Sequence, residues 1–197
     1  MHTSQALKTT THVHYLMHTF IMLAVMLLIP QIAHANAGML VIAEDGGKTY
    51  LLFVQTHKHD YYEFPGGRVE RGEDLVSRRY QKETVYETAV RETMEETRGY
   101  LGRQQLTSAS SADRFIEAGK YSLFLAKLPF FKLDEVREIK IPRSKKWASM
   151  REVVNYAWVD VSVISKAGVA TARDGQVVKL HPIAQRAVKI GRLNRWF

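Results

Sequence analysis

The segment Arg91-Glu92-Thr93-Met94-Glu95-Glu96 sets one arginine and three carboxylates at helical spacing. In a helix, residues three and four apart share a face, so Glu92, Glu95 and Glu96 point the same way. Like charges so placed repel by about 0.2–0.5 kcal/mol per pair. Three converging carboxylates with no matching run of bases suit a hard cation such as Mg2+ or Mn2+. A solvated acidic helix face is the competing reading, and for an isolated Glu-x-x-Glu-Glu it would prevail.

The loop that must position this helix lies just upstream. Phe64-Pro65-Gly66-Gly67 is turn chemistry, a glutamate-rich stretch with Glu73 and Glu83 follows it, and Gly99 stands ready to end the helix. Taken together, Phe64 to Gly99 resembles the Nudix box. That motif runs glycine, five residues, Glu, seven residues, then Arg-Glu-apolar-any-Glu-Glu-any-Gly. A match over about 35 residues is far more specific than a lone glycine motif.

The segment departs from the box twice. Glu73 follows Gly67 after five residues, but Arg91 then arrives ten residues late; counted back from Arg91, the required glutamate is Glu83. An insertion of about ten residues between Glu73 and Glu83 explains both counts, and closing so short an extra loop costs little entropy. Downstream, Arg98 separates Thr97 from Gly99, one residue more than the motif has. Neither departure touches Glu92, Glu95 or Glu96.

The resemblance implies an α/β fold, a Nudix-like α/β/α sandwich with a mixed β-sheet and a loop-helix-loop catalytic motif. It implies a pyrophosphohydrolase acting on a nucleoside diphosphate linked to another moiety. Glu92, Glu95 and Glu96 then correspond to metal ligands for Mg2+ or Mn2+, with the Gly66 carbonyl beside them, and Glu92 alternatively to the general base. Arg91 corresponds to the arginine that orients the box, with Glu83 or Glu73 as its partner; a plain helix ion pair to Glu87 or Glu95 is the simpler reading. A further ligand or base is expected from a downstream loop. Glu152 is the candidate, with Glu135 and Glu138 as rivals. Tyr62, Phe130, Phe131 and Trp147 are candidates for stacking on a base, although aromatics near strands more often sit in the core. His57 and His59 read as loop residues rather than metal ligands. Two other readings stay open: a degenerate domain that binds nucleotide or polyphosphate without turnover, and an exported interaction protein.

The surrounding chain is ordinary in bulk and unusual at its start. Its 197 residues suffice for one domain with a proper core, and 46% hydrophobic with 24% charged residues is typical of soluble proteins. No cysteine is present, which excludes disulfides, thiolate metal sites and a cysteine nucleophile. Residues 1–37 contain no acid and one base, Lys8, with a ten-residue apolar run from Phe20 to Ile29 ended by Pro30. That run is too short to span a bilayer, and Ala33-His34-Ala35 and Ala35-Asn36-Ala37 offer small-x-small cleavage sites. The segment reads as a secretory signal peptide cut after Ala35 or Ala37. The mature domain is then 38–197, without a spanning helix and exported to the periplasm or secreted; with the leader uncleaved the reading is cytoplasmic. An uncleaved anchor, a buried terminal helix and a start at Met17 are the alternatives.

The formal charge of +8 becomes +7 when Lys8 leaves with the leader. With the catalytic helix acidic, the bases must lie elsewhere, which suits a polyphosphate, loosely held nucleic acid or anionic lipid. Arg143-Ser144-Lys145-Lys146 is too short a run to count as a nucleic-acid motif. Strands are expected over Gly38–Ala43, Tyr50–Val54, Phe115–Glu117, Tyr121–Ala126 and Tyr156–Asp160. A loop is expected over Leu106–Asp113, a short helix from Val161, and a C-terminal helix opened by His181-Pro182.

Overall fold

The computed structural model describes residues 36–69, 71–73, 80–82, 84–144 and 148–197, with 71–73 and 80–82 as backbone only. Residues 1–35 of the leader, Glu83, Lys145, Lys146 and Trp147 lie outside the described residues. The centre of the molecule is β1 (Asn36–Asp45), of which seven consecutive residues, Ala37 to Ala43, are buried. A strand buried on both faces must be apolar throughout, and Met39-Leu40-Val41-Ile42-Ala43 meets that demand. β1 pairs in parallel with β7 (Tyr121–Lys127) on one edge. Its other edge is shared by β2 (Lys48–Thr56), antiparallel over Ile42–Asp45, and β3 (Gly66–Arg68), antiparallel over Asn36–Gly38. Outside these, β6 (Ser110–Ala118) pairs with β7 and β8 (Val153–Asp160) with β2, giving the order β6-β7-β1-β2-β8. The sheet is mixed, as expected.

Alternation along β1 sends side chains to two cores. Leu40 and Ile42 join Phe53, Phe64 and Leu123 on the face covered by the C-terminal helix α4 (Pro182–Leu193). Met39, Val41 and Ala43 join Ala89 and Val90 of helix α1 (Val85–Glu96) on the other. This is the α/β/α layering expected from the box. His181 caps α4 through its ring nitrogen, which accepts from the Ile183 N–H, and Pro182 takes the first turn, where its missing donor is harmless.

Several elements differ from the sequence reading. Leu106–Asp113 is not a loop: helix α2 (Arg103–Ala109) buries Leu106, and Ser110 already begins β6. The local Ser/Thr/Ala richness suggests a loop, but tertiary burial of Leu106 overrides that weak signal. The helix expected from Val161 is a single 3-10 turn over Val161–Val163. After it, β9 (Val169–Thr171) and β10 (Val177–Lys179) form a hairpin that the sequence did not disclose. A short helix, α3 (Leu133–Arg137), lies in the Pro129–Met150 segment. Among the described residues no helix is long and apolar enough to cross a membrane.

Candidate active site

Helix α1 begins with a capping box: the Thr84 hydroxyl accepts from the Glu87 N–H at 3.1 Å while the Thr84 N–H donates to the Glu87 carboxylate at 2.9 Å. This satisfies two backbone donors reciprocally and pins the helix start. The helix buries Thr88, Ala89, Val90, Thr93 and Glu96. Burying an aliphatic stripe is ordinary. Burying Glu96 in the same stripe is not, and it puts a carboxylate at the edge of the core.

That edge is where the glycine turn arrives. The Gly66 N–H donates to Glu96 Oε2 at 2.8 Å. Gly66 itself crosses Gly38 so closely that a Cβ on Gly66 would lie 2.6 Å from the Ala37 carbonyl oxygen. A Cβ on Gly67 would lie 2.2 Å from the Glu92 carboxylate carbon. Gly66 is thus required by close approach to the neighbouring strand, whereas at Gly67 the space is taken by the end of the Glu92 side chain, which a Cβ would push aside. Arg91 completes the junction, donating to the Arg68 carbonyl at 3.2 Å and reaching Glu92 at 2.9 Å and Glu95 at 3.4 Å. Glu87, the other simple helix partner proposed for Arg91, is engaged instead with Thr84.

Burial pushes the Glu96 carboxyl well above the usual carboxylate range; the Gly66 N–H opposes this, and the charges of Glu92, Glu63 and Glu152 add to it. Glu152, just before β8, is thus one of the acidic neighbours of Glu96. Its side chain is held by Lys58 at 2.6 Å, and its backbone carbonyl accepts from the His57 N–H. Glu135 instead takes a hydrogen bond from the Tyr100 hydroxyl, and Glu138 lies exposed at the end of α3.

Two residues that the sequence reading did not single out stand at the same place. Glu63 is raised by burial, with the charges of His181 and His59 opposing. Tyr121 is pushed up to about 12, chiefly by burial, with Glu63, Glu96 and Glu92 adding. Glu63 and Tyr121 line one small cavity with Phe64, Leu123, Ile183 and Ala184. The signal for Glu63 was present: it is the sole carboxylate between the buried aromatics Tyr62 and Phe64, directly before the turn. Tyr121 carries no local signal, because it reaches the site only through the parallel pairing of β7 with β1.

The stacking candidates divide differently. Tyr62 is buried, with its hydroxyl accepting from Gln176, so it is a core residue. Phe130 packs against Tyr50 and Trp158, and Phe131 against Tyr100 and Trp158. Both are half-buried and line, with Trp158, Arg137 and Arg173, a cavity of about 290 Å³. His57 and His59 sit in an exposed loop. Among the described residues no three acidic or imidazole side chains meet at one point, because Glu92 and Glu95 turn to Arg91 while Glu96 turns to Gly66.

The insertion in the box is a two-stranded hairpin. β4 (Arg71–Glu73) and β5 (Tyr80–Lys82) pair with Arg71 opposite Lys82, Gly72 opposite Gln81 and Glu73 opposite Tyr80. The helix end also differs from its reading. Arg98, at φ 55°, itself adopts the left-handed conformation ahead of Gly99, at φ 77°. Gly99 N–H bonds Met94 C=O and Arg98 N–H bonds Glu95 C=O, the pattern of a Schellman cap. Arg98 therefore stands in the glycine's place rather than as an added residue, held there by hydrogen bonds to the carbonyls of Arg137 and Val153.

A layered mixed sheet, a glycine turn locked to a carboxylate helix, and an arginine bridging them define a hydrolase of the Nudix class. The chain matches the NUDIX domain over residues 33–180 and belongs to that family. No curated protein matches it in sequence. Among solved structures, it is similar to a C. elegans Ap4A hydrolase in a binary complex at 20% identity, covering 84% of this chain and 100% of that one, with a TM-score of 0.47. A Nudix hydrolase from M. smegmatis is similar at 16% identity, with 83% and 86% covered and a TM-score of 0.42. A UDP-X diphosphatase is similar at 12% identity, with 88% and 71% covered and a TM-score of 0.41.

Proposed function

We propose that this Nudix-type hydrolase cleaves the pyrophosphate linkage of a nucleoside diphosphate joined to another moiety. The observation that carries the reading is the Gly66 N–H to Glu96 hydrogen bond, which sets the glycine turn against the carboxylate helix. Glu92, Glu95, Glu96 and the Gly66 carbonyl are all oxygen donors of the kind that hard divalent cations select, and would converge on one once Glu92 and Glu95 turn away from Arg91. Glu96 is buried with acidic neighbours and, among the described residues, has no ion pair, which suits a cation beside it. Mg2+ or Mn2+ held there would neutralise phosphate charge and acidify a water.

The remaining roles belong to the chain's own side chains. Arg91 ties Glu92 and Glu95 to the Arg68 carbonyl and so fixes the distance between helix and turn. Glu92, against Gly67, is placed to hold cation or accept the proton of the attacking water. Tyr121 keeps its proton across the physiological range and offers a hydroxyl donor beside the carboxylates. The hairpin supports Glu83 over Glu73 as the box glutamate. Removing Gly72–Gln81 joins Arg71 to Lys82 and leaves Glu83 five residues after Gly67 and seven before Arg91. Glu152 is the further ligand or base.

The test is a substrate panel with Mg2+ and with Mn2+: ADP-ribose, dinucleoside polyphosphates, NADH, nucleoside triphosphates, 5′-capped RNA and diphosphoinositol phosphates. Metal-dependent release of a phosphomonoester from at least one, lost in Glu95→Gln, is expected. Binding without turnover across the panel would replace the hydrolytic reading with a degenerate one. Export is part of the proposal, and cleavage after Ala35 fits the fold better than cleavage after Ala37. The later cut would remove Asn36 and Ala37, which pair with Arg68 and Gly67 of the glycine turn. Sequencing the mature N-terminus should give Asn36; an intact Met1 would end the export reading.

A further inference from the structure

Away from the carboxylates, a groove of about 800 Å³ runs between α4 and the Ile164–Lys166 segment. Its lining includes Lys166, Arg186, Lys189 and Arg192 and no acidic residue. Lys166, Arg186 and Lys189 are exposed and form no ion pair with any described residue. Arg192 is used differently, since it donates to the carbonyls of Val161 and Ile164 and ties the groove wall to the helix. The wall is further held by the Ser165 N–H to Val169 C=O and Gly168 N–H to Ser165 C=O bonds. This is a preformed surface.

On α4, Pro182, Arg186, Lys189 and Leu193 follow one another at spacings of four, three and four residues, one stripe of the helix. The buried stripe, with Ala184, Ala187, Val188 and Gly191, is opposite and already packed on the sheet. Leu193, at the end of the outer stripe, is 74% exposed, and Val163, in the turn leading to the groove wall, is 48% exposed. Unpaired cations flanked by exposed aliphatic side chains, on a rigid face, match the chemistry of an anionic bilayer surface: phosphates for the cations and the headgroup–acyl boundary for the aliphatics. A nucleic-acid face would instead offer aromatic platforms or free amides beside the cations; this lining holds no aromatic residue, and its one amide, Gln185, donates to the Leu180 carbonyl.

We propose that the α4 face, centred on Arg186 and Lys189 with Leu193 at its edge, docks the protein onto membranes rich in anionic phospholipid. The charge complementarity supplies the attraction, and the first turn of α4 adjoins Glu63 through Ile183 and Ala184, so docking brings the hydrolytic edge close to the bilayer. The surplus of bases that the composition leaves unexplained is thereby given a location and a use.

Sedimentation with vesicles tests this on the full chain. Phosphatidylcholine vesicles containing roughly one third phosphatidylglycerol should pull down wild type, and pure phosphatidylcholine vesicles should not do so beyond a leader-dependent background common to all variants. Arg186→Glu/Lys189→Glu should weaken anionic-vesicle binding at least about tenfold, Arg186→Gln/Lys189→Gln should weaken it less, and Leu193→Asp should lower what survives at about 0.5 M salt. All the positions changed are solvent-facing, and retained hydrolysis of a soluble substrate confirms the fold. Equal binding by wild type and the charge-reversed variant would overturn the proposal. So would absence of vesicle binding together with Arg186- and Lys189-dependent binding of an RNA oligomer.

Discussion

Gly67 and Glu92 share one volume: the Glu92 carboxylate fills the place where any Gly67 side chain would stand. A methyl group there meets the carboxylate carbon and both its oxygens, so the end of the Glu92 side chain must move aside. Gly67→Ala should therefore expel Glu92 from its position while leaving the two cores untouched. A catalytic group misplaced by about an ångström costs on the order of 100-fold in rate. We expect that loss in kcat, with little change in melting temperature. A variant that keeps full activity would show that Glu92 has no positional role.

Glu96→Gln separates function from stability in the opposite sense. The amide can still accept the Gly66 N–H bond, but it removes a buried charge whose ionised form the surroundings disfavour. Hydrolysis should fall by roughly 100- to 1000-fold, as expected when a charge-stabilising group is removed. In EDTA the melting temperature should rise, not fall. A drop in both would mean that Glu96 is a structural residue.

The box was legible because its chemistry is local. Arg91, Glu92, Glu95 and Glu96 are fixed by helical spacing, and Gly66-Gly67 by turn composition. What was illegible arrives through pairing at long range. Tyr121 enters beside the carboxylates by lying next to Asn36 in a parallel ladder, and no spacing rule connects positions so far apart. Sequence ranks Glu152 ahead of Glu135 and Glu138 only by its place before a strand, because the three are alike as residues; what sets Glu135 apart in the structure is a hydrogen bond from Tyr100. The β9–β10 hairpin was hidden because each strand has three residues, too few for alternation to register. Arg98 misled for another reason: its left-handed backbone is set by anchors on Arg137 and Val153 that only the fold provides.

Those anchors make Arg98 testable. A non-glycine residue in that conformation carries roughly 1–2 kcal/mol of strain, offset here by the two guanidinium bonds and by stacking over Tyr156 at 5.8 Å. Arg98→Ala keeps the strain and removes the anchors, so chemical denaturation should show a loss of about 1–3 kcal/mol. Arg98→Gly removes both and should lose clearly less. Equal losses would show that backbone strain at this position is negligible.

Glu87 gives a pH dependence with a defined sign. The Thr84 N–H and hydroxyl hold its carboxyl below the ordinary value of 4.5. The folded chain thus binds this proton less readily than the unfolded chain. The resulting stabilisation is complete above the unfolded value and is lost as pH falls through the folded one. Wild type should therefore lose its advantage over Glu87→Gln between about pH 5 and about pH 3, with the two melting curves converging at the acid end. A difference that widens towards low pH would contradict the capping role.

The hairpin in the box leads to a deletion. Arg71 and Lys82 face each other across an antiparallel pair, where opposed Cα atoms lie about 4.5–5.5 Å apart. Neighbouring residues in a chain are about 3.8 Å apart, so joining the two directly asks for a shift of only an ångström or so at each strand end. Excising Gly72–Gln81 should then produce a folded protein whose glycine turn, Glu83 and Arg91 stand at the spacing of an uninterrupted box. Its hydrolytic rate on a small soluble substrate is expected within about threefold of wild type, with a melting temperature equal or higher because a shorter loop loses less entropy on closure. Folding with activity lost by more than roughly tenfold would show that the hairpin contacts the substrate or that Glu73 holds the box role. Comparing the deletion with Glu73→Gln in the full-length chain decides between those two causes, since only the second predicts the same loss from the single substitution.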